Sequence, residues 1–251
     1  MNAISVRDSK ADASRAIALD GEGEPTSVAV GFGSVWIVDS ARDVLIRAPN
    51  DAAGERVVIP LEDPKDVVVS PRAVWVAEEG TDSVAQVDPR TNTVAATLPV
   101  ADGPRSISYG NGEVWVACIE AGTVLRIQAG TAEVQGKPIE AGTRPNDVAV
   151  GEQGVWVIDN LEGVVRRIDP EALVAGEPIE VGARPRGIVA DSGSVWVANS
   201  EEGTVTRIDE SRRLQVGEPI EVGAEPADIS AGGGSIWTSN FAGDTVSRIE
   251  P

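Results

Sequence analysis

Histidine is missing from this chain altogether. Most acid–base catalysts and nucleophile-activating dyads that work near neutral pH depend on an imidazole, so those mechanisms are excluded. Cysteine occurs once, as Cys118, which leaves no partner for an intramolecular disulfide and no thiolate metal cluster. Lysine is scarce (Lys10, Lys65 and Lys137), and 40 acidic residues stand against 21 basic ones, a formal net charge of −19. So acidic a surface repels phosphate backbones, and nucleic acid is not an expected partner. Long apolar runs are also lacking. Met1 to Ser14 is polar, so neither a signal peptide nor a transmembrane helix is expected, and this domain itself should make no membrane contact. Nor does any segment keep a 3.6-residue apolar period, which predicts almost no helix.

What the chain has is a repeat. Its six tryptophans, Trp36, Trp75, Trp115, Trp156, Trp196 and Trp237, lie 39 to 41 residues apart, each inside an apolar run such as Val195-Trp196-Val197. A proline stands eleven residues before every one (Pro25, Pro64, Pro104, Pro145, Pro185, Pro226). An arginine stands eleven residues after (Arg47, Arg126, Arg167, Arg207, Arg248), with Gln86 the single exception. Within one period, runs rich in Val, Ile and Thr alternate with Gly, Asn, Asp and Ser, which is the chemistry of strands and tight turns. In the fifth copy the runs are 187–190, 194–198, 204–208 and 219–222.

Four strands in about 40 residues predict an all-β, six-bladed β-propeller with four antiparallel strands per blade. A blade is sandwiched between its neighbours, so its middle strands read as continuous apolar runs, and a Trp fills the wedge between blades. Prolines in the fourth strand (Pro60, Pro99, Pro138, Pro178, Pro219) suit an outer edge, where a missing N–H does no harm. The sixth copy stops after its third strand, and Arg15 to Leu19 stands where every other copy has a fourth. The N-terminal strand is therefore expected to complete the last blade and close the ring. The expected organisation is a disordered segment 1–13, then a single propeller domain, 14–251, as a monomer.

Any site should lie where copies differ, on the loops around the channel mouth. Two residues after the repeat proline the copies read Ser27, Asp66, Ser106, Asp147, Gly187 and Asp228. Asp66, Asp147 and Asp228 thus alternate, and three converging carboxylates suit a hard cation such as Ca²⁺ or Mg²⁺. The competing reading is that each Asp caps the turn leading into its strand. Lys65, Arg105 and Arg186 just after the proline, with Arg144 and Arg184 just before it, suit an anionic ligand or a carboxylate-bearing peptide. Alternatively these cations pair with the neighbouring aspartates and with Glu78 and Asp159. The repeat arginines belong to the scaffold, stacked on tryptophans or bridging blades. Cys118 replaces a polar turn residue and is expected to be a small buried filler.

Pro145 to Val150, Gly193 to Asn199 and Gly163 to Pro170 carry phrases that resemble the YVTN/NHL group of bacterial propellers, over essentially residues 15–251. The group includes YncE-like periplasmic proteins, extracellular sensor propellers of bacterial serine/threonine kinases, and virginiamycin B lyase-like enzymes. The resemblance implies the propeller fold. The lyases rely on a catalytic His and bound Mg²⁺, so their activity does not carry over, and no family catalytic residue maps onto this chain. The expected function is non-enzymatic binding of a protein or small-molecule ligand. The setting it suggests is the extracytoplasmic sensor domain (cell surface or periplasm rather than cytoplasm) of a larger signalling protein such as a kinase. The alternative is a metal-dependent hydrolase or lyase built on the Asp ring.

Overall fold

The computed structural model describes residues 23–50 and 55–251. Six antiparallel sheets follow one another along the chain, each one blade. Blade 1 runs β1 (Pro25–Gly31), β2 (Ser34–Asp39), β3 (Val44–Pro49), β4 (Val57–Pro60), in spatial as in chain order. Blade 2 repeats this with β5 (Pro64–Val69), β6 (Val74–Glu78), β7 (Ser83–Asp88) and β8 (Thr93–Pro99). Blade 3 is β9 (Pro104–Gly110), β10 (Glu113–Cys118), β11 (Thr123–Gln128) and β12 (Glu133–Glu140). Short 3₁₀ turns at Ser40–Arg42 and Glu79–Thr81 are the only helical elements among the described residues.

The outer strand breaks in the next two blades. Blade 4 contains β13 (Pro145–Val150), β14 (Val155–Asp159) and β15 (Val164–Asp169), with β16 (Val174–Ala175) and β17 (Ile179–Glu180) both pairing β15. Blade 5 is built alike from β18 (Pro185–Asp191), β19 (Ser194–Asn199), β20 (Thr204–Asp209), β21 (Leu214–Gln215) and β22 (Ile220–Glu221). The gaps fall at Gly176-Glu177-Pro178 and Val216-Gly217-Glu218-Pro219, where a proline has no N–H for the ladder. Blade 6 has β23 (Pro226–Gly232), β24 (Ser235–Asn240) and β25 (Thr245–Ile249). The strand expected from Arg15 to Leu19 lies outside the described residues. On β25, Val246 is 42% exposed, whereas Leu45, Val84, Val124, Val165 and Val205 at the same repeat position are fully buried.

Two compact units hold these sheets: 23–121 with 125–138, chiefly blades 1 to 3, and 139–251 with 122–124, chiefly blades 4 to 6. Within each unit, the tryptophan of one blade packs into the next. Trp36, Val38 and Leu45 meet Val67, Val74 and Val76 of blade 2, and Trp75 meets Ile107, Val114 and Val116 of blade 3. In the other unit Trp156 meets Ile188, Val195 and Val197, and Trp196 meets Ile229 and Ile236. Burying apolar area of this size, at about 25 cal/mol per Å², is what joins one blade to the next.

The repeat arginines close these wedges at their solvent edge. Arg47, Arg126, Arg207 and Arg248 stack over Trp36, Trp115, Trp196 and Trp237, with the guanidinium carbon 4.9–5.9 Å from the ring centre. Arg47, Arg207 and Arg248 also donate Nε–H to Ser34, Ser194 and Ser235. Arg47 goes further, reaching Asn92 Oδ1 of blade 2 at 2.7 Å. These residues are scaffold.

Candidate functional site

In every blade the inner strand slips by one residue immediately after the repeat proline. The extra residue is Thr26, Lys65, Arg105, Asn146, Arg186 or Ala227 in turn. Such a bulge leaves one residue outside the ladder and re-aims its side chain, a device common beside binding sites. Thr26 and Asn146 use it to reach the next blade, donating to the carbonyls of Lys65 (3.3 Å) and Arg186 (3.0 Å). Lys65, Arg105 and Arg186 are thus bulge residues at the start of β5, β9 and β18, next to the loops that lead into these strands. It has no signature in the residue pattern.

The three aspartates one position later are occupied by the main chain. Asp66 takes Ser27 Oγ–H (2.6 Å) and Val67 N–H (2.8 Å) on Oδ1, and on Oδ2 the Ile107 N–H of blade 3 (2.9 Å). Asp147 repeats the arrangement with Val148 N–H (2.8 Å) and the Ile188 N–H of blade 5 (2.9 Å). Asp228 accepts Ile229 N–H at 2.8 Å. A Cβ on Gly187 would lie 3.0 Å from the Asp228 main chain, so the inner strands of blades 5 and 6 approach closely there. Burial raises the Asp228 carboxyl above its ordinary range, offset only in part by the Ile229 N–H. Among the described residues no three Asp, Glu or Cys side chains come close enough to share a metal ion.

The basic residues beside the repeat prolines differ in their surroundings. Lys65 Nζ bonds Asp63 at 2.6 Å and lies 3.4 Å from Glu79; Arg105 shares that Glu79 carboxylate, also at 3.4 Å. Burial pulls the Lys65 ammonium down, but Asp63 and then Glu79 outweigh it and hold its pKa above the usual lysine value. The partners are Asp63 and Glu79, not the expected Asp66 and Glu78. Glu78 is the buried last residue of β6, whereas Glu79 opens the 3₁₀ turn and stays partly exposed. In the other unit Arg184 and Arg186 are exposed, and neither forms an ion pair among the described residues. Arg184 also sits in the left-handed region, with φ 53°, at the place where blade 3 uses Gly103. Asp63 and Glu225 hold the same place in blades 2 and 6 at φ 48° and 52°, so the conformation belongs to the repeat.

Glu78 and Asp159 turn out to fasten the lead-in loops. Glu78 accepts Glu62 N–H at 3.0 Å and Ser83 Oγ–H at 3.1 Å. Asp159 accepts Arg144 N–H at 2.7 Å, and Leu161 and Glu162 N–H at 2.9 Å each. Asn199 and Asn240 take this place in blades 5 and 6, donating to Thr204 and Thr206, and to Thr245 and Ser247. Cys118 takes it in blade 3. It is fully buried, and burial, reinforced by the charges of Asp82 and Asp102, pushes its thiol up to about 12. Such a thiol is no nucleophile near neutral pH.

Two loop tips of blades 4 and 6 expose large apolar side chains for which the repeat gives no warning. Leu161, on the β14–β15 turn, is 65% exposed, and Phe241, on the β24–β25 turn, is 74% exposed. Each turn is bonded to its own lead-in loop: Asn160 N–H to Arg144 C=O, Ser200 N–H to Arg184 C=O, and Phe241 N–H to Glu225 C=O. Leu161, Arg184, Arg186 and Phe241 therefore all stand at the lead-in end of this unit's blades. Only comparison between copies points to them: Phe241 stands where other blades carry Ser40, Glu79 or Ser200, and Leu161 where they carry Ala41, Gly80, Glu120, Glu201 or Ala242.

No family model and no curated protein matches the chain. Solved structures do. A catalytically inactive virginiamycin B lyase from Staphylococcus aureus with quinupristin is 16% identical, with a TM-score of 0.76 over 98% of this chain and 84% of that one. The WD40 domain of Pan2 from Neurospora crassa is 13% identical, with a TM-score of 0.69 over 91% and 80%. BamB from Moraxella catarrhalis is 12% identical, with a TM-score of 0.68 over 89% and 69%. At such identities the likeness speaks for architecture alone, and with the six sheets it shows that this chain has the six-bladed β-propeller fold.

Proposed function

We propose that this chain is a non-catalytic binding propeller whose partner docks on the lead-in loops of blades 4 to 6. The observation that carries this reading is the contrast between the cations that flank the repeat proline in different blades. Lys65 and Arg105 are neutralised by Asp63 and Glu79, whereas Arg184 and Arg186 stand exposed without an ion partner among the described residues. The groups with chemical potential are otherwise engaged. The aspartates hold main-chain amides, Cys118 is buried and protonated, and imidazole is lacking. The same fold is found in lyases and in a WD40 domain, so fold alone favours neither catalysis nor binding.

The phrases shared with YVTN/NHL propellers extend the reading. In this view the chain is the extracytoplasmic sensor domain of a larger signalling protein such as a bacterial serine/threonine kinase. Sequencing the flanking coding region tests that part; a kinase domain and one transmembrane segment in the same frame are expected, and an isolated frame contradicts it. The docking site is tested by selecting binders from a random peptide library against the chain, with counter-selection on the Arg184→Glu/Arg186→Glu variant. Peptides that separate the two proteins and are recovered chemically intact are expected. Selections that never distinguish them, or peptides returned cleaved, overturn the proposal.

A further inference from the structure

Within that reading, we infer that the partner of blades 4 to 6 is a protein segment that presents a carboxylate beside a large apolar side chain. The surface has both halves of the matching chemistry. Phe241 and Leu161 expose apolar area at loop tips, open to be covered by an apolar side chain of a partner. Aromatic residues and arginine are the types enriched in interface centres, and truncating them costs the most binding energy. The remaining phenylalanine, Phe32, lies in blade 1, outside this unit.

The arginines supply the second half. A planar guanidinium forks two N–H groups onto a carboxylate, which suits it to fix a docked acid in register. Two carboxylates of the β14–β15 and β19–β20 turns are already engaged. Glu162 is bonded to Arg166 at 2.6 Å and to the Thr143 hydroxyl at 2.7 Å, and Glu202 accepts Ala183 N–H at 3.1 Å. Arg186 is the bulge residue of β18, its carbonyl held by Asn146 from blade 4, so the main chain that carries it is fixed from two blades. Arg184 is held in a left-handed conformation by the Ser200 N–H bond to its carbonyl. The fixed main chain leaves only the side-chain rotamers of the two arginines to be ordered when a partner binds.

The surroundings also narrow the partner. Exposed Glu201 and Glu225 flank the arginines, and the chain carries −19 overall. A ligand that is acidic throughout is repelled by this rim, and one that is apolar throughout leaves two arginines without a counter-charge. A segment with one or two acids set among Leu, Ile or Phe meets both demands, whereas a polyacid or a small inorganic anion does not.

The test uses the peptides recovered from the random library, measured by fluorescence anisotropy against the intact chain. Their sequences should be enriched in Asp or Glu adjacent to Leu, Ile or Phe. Phe241→Ala should weaken binding about thirtyfold, the scale of a hot-spot truncation. Arg184→Glu/Arg186→Glu should abolish it, while Arg90→Glu, on the Asp88–Thr93 turn of blade 2, leaves it unchanged. Polyglutamate and an acid-to-amide version of each peptide should both bind far more weakly than the parent. Peptides that need Arg184 and Arg186 but carry no acid, or that ignore Phe241→Ala, overturn this inference and leave the binding propeller standing. Peptides insensitive to every loop variant overturn both.

Discussion

Replacing Asp66 by Ala measures what the alternating aspartates are for. The carboxylate joins three blades: Ser27 Oγ–H of blade 1 at 2.6 Å, its own strand through Val67 N–H at 2.8 Å, and Ile107 N–H of blade 3 at 2.9 Å. Removing it does not orphan all three donors. Val67 N–H also lies 3.3 Å from Ser27 Oγ and keeps that partner. Ile107 is buried, and its amide is left unsatisfied at a cost of about 1–3 kcal/mol. The lost charge-assisted bond from Ser27 adds about 1–2 kcal/mol, and one negative charge fewer on a chain of −19 returns a little. The net expectation is a loss of about 2–4 kcal/mol. Guanidinium denaturation followed by tryptophan fluorescence reads it as a lower midpoint at unchanged slope. Metal-free buffer and millimolar Ca²⁺ should give the same result. A loss below about 0.5 kcal/mol, or a wild-type midpoint that rises with Ca²⁺, sinks the amide-holding role and restores the cation ring.

Three further outcomes are expected. Cys118, its thiol held near 12 by burial, should ignore thiol reagents at pH 8 in the folded chain and react only on unfolding; rapid labelling contradicts its burial in blade 3. Asp228 has a raised carboxyl pKa, so its protonated form is the one the fold favours. That contribution is complete below the ordinary carboxylate value and is lost as pH rises through the folded one, so Asp228→Asn, which keeps Oδ1 for Ile229, should raise the midpoint at pH 7. The gain should vanish below about pH 4; a gain independent of pH counts against it. Glu210, buried after β20, accepts Gln153 N–H at 2.8 Å and Glu152 N–H at 3.4 Å from the β13–β14 hairpin. Glu210→Ala should cost about 1–3 kcal/mol, read by denaturation, with Glu210→Gln milder.

The blades were legible in the sequence because one side chain per copy dominates each interface, and its period is written in the tryptophans. Arginine stacking followed from the same period, and its one failure is instructive. Arg167 turns instead to the Gln153 carbonyl, because blade 4 has Gly154 where Ser34, Ser194 and Ser235 hold the other guanidiniums over their rings. The inner-strand bulge was not legible, since it is a property of pairing between strands. The ion partner of Lys65 and Arg105 is likewise Glu79, on the turn after β6, and not the buried Glu78. Turn capping by the aspartates is one of the two readings the residue pattern allows, but the bond each of two makes to a neighbouring blade depends on packing that no local pattern records. Phe241 and Leu161 escaped notice because an apolar residue in a turn reads as core until its exposure is known.

That the lead-in loops of blades 4 to 6 are the working surface is tested most directly by amide hydrogen exchange with and without a selected peptide. Protection should be confined to the loops at 159–163, 183–187 and 240–244, with blades 1 to 3 unchanged. Protection centred on Lys65 and Arg105, or on the outer strands, would place the working surface elsewhere and contradict the docking site.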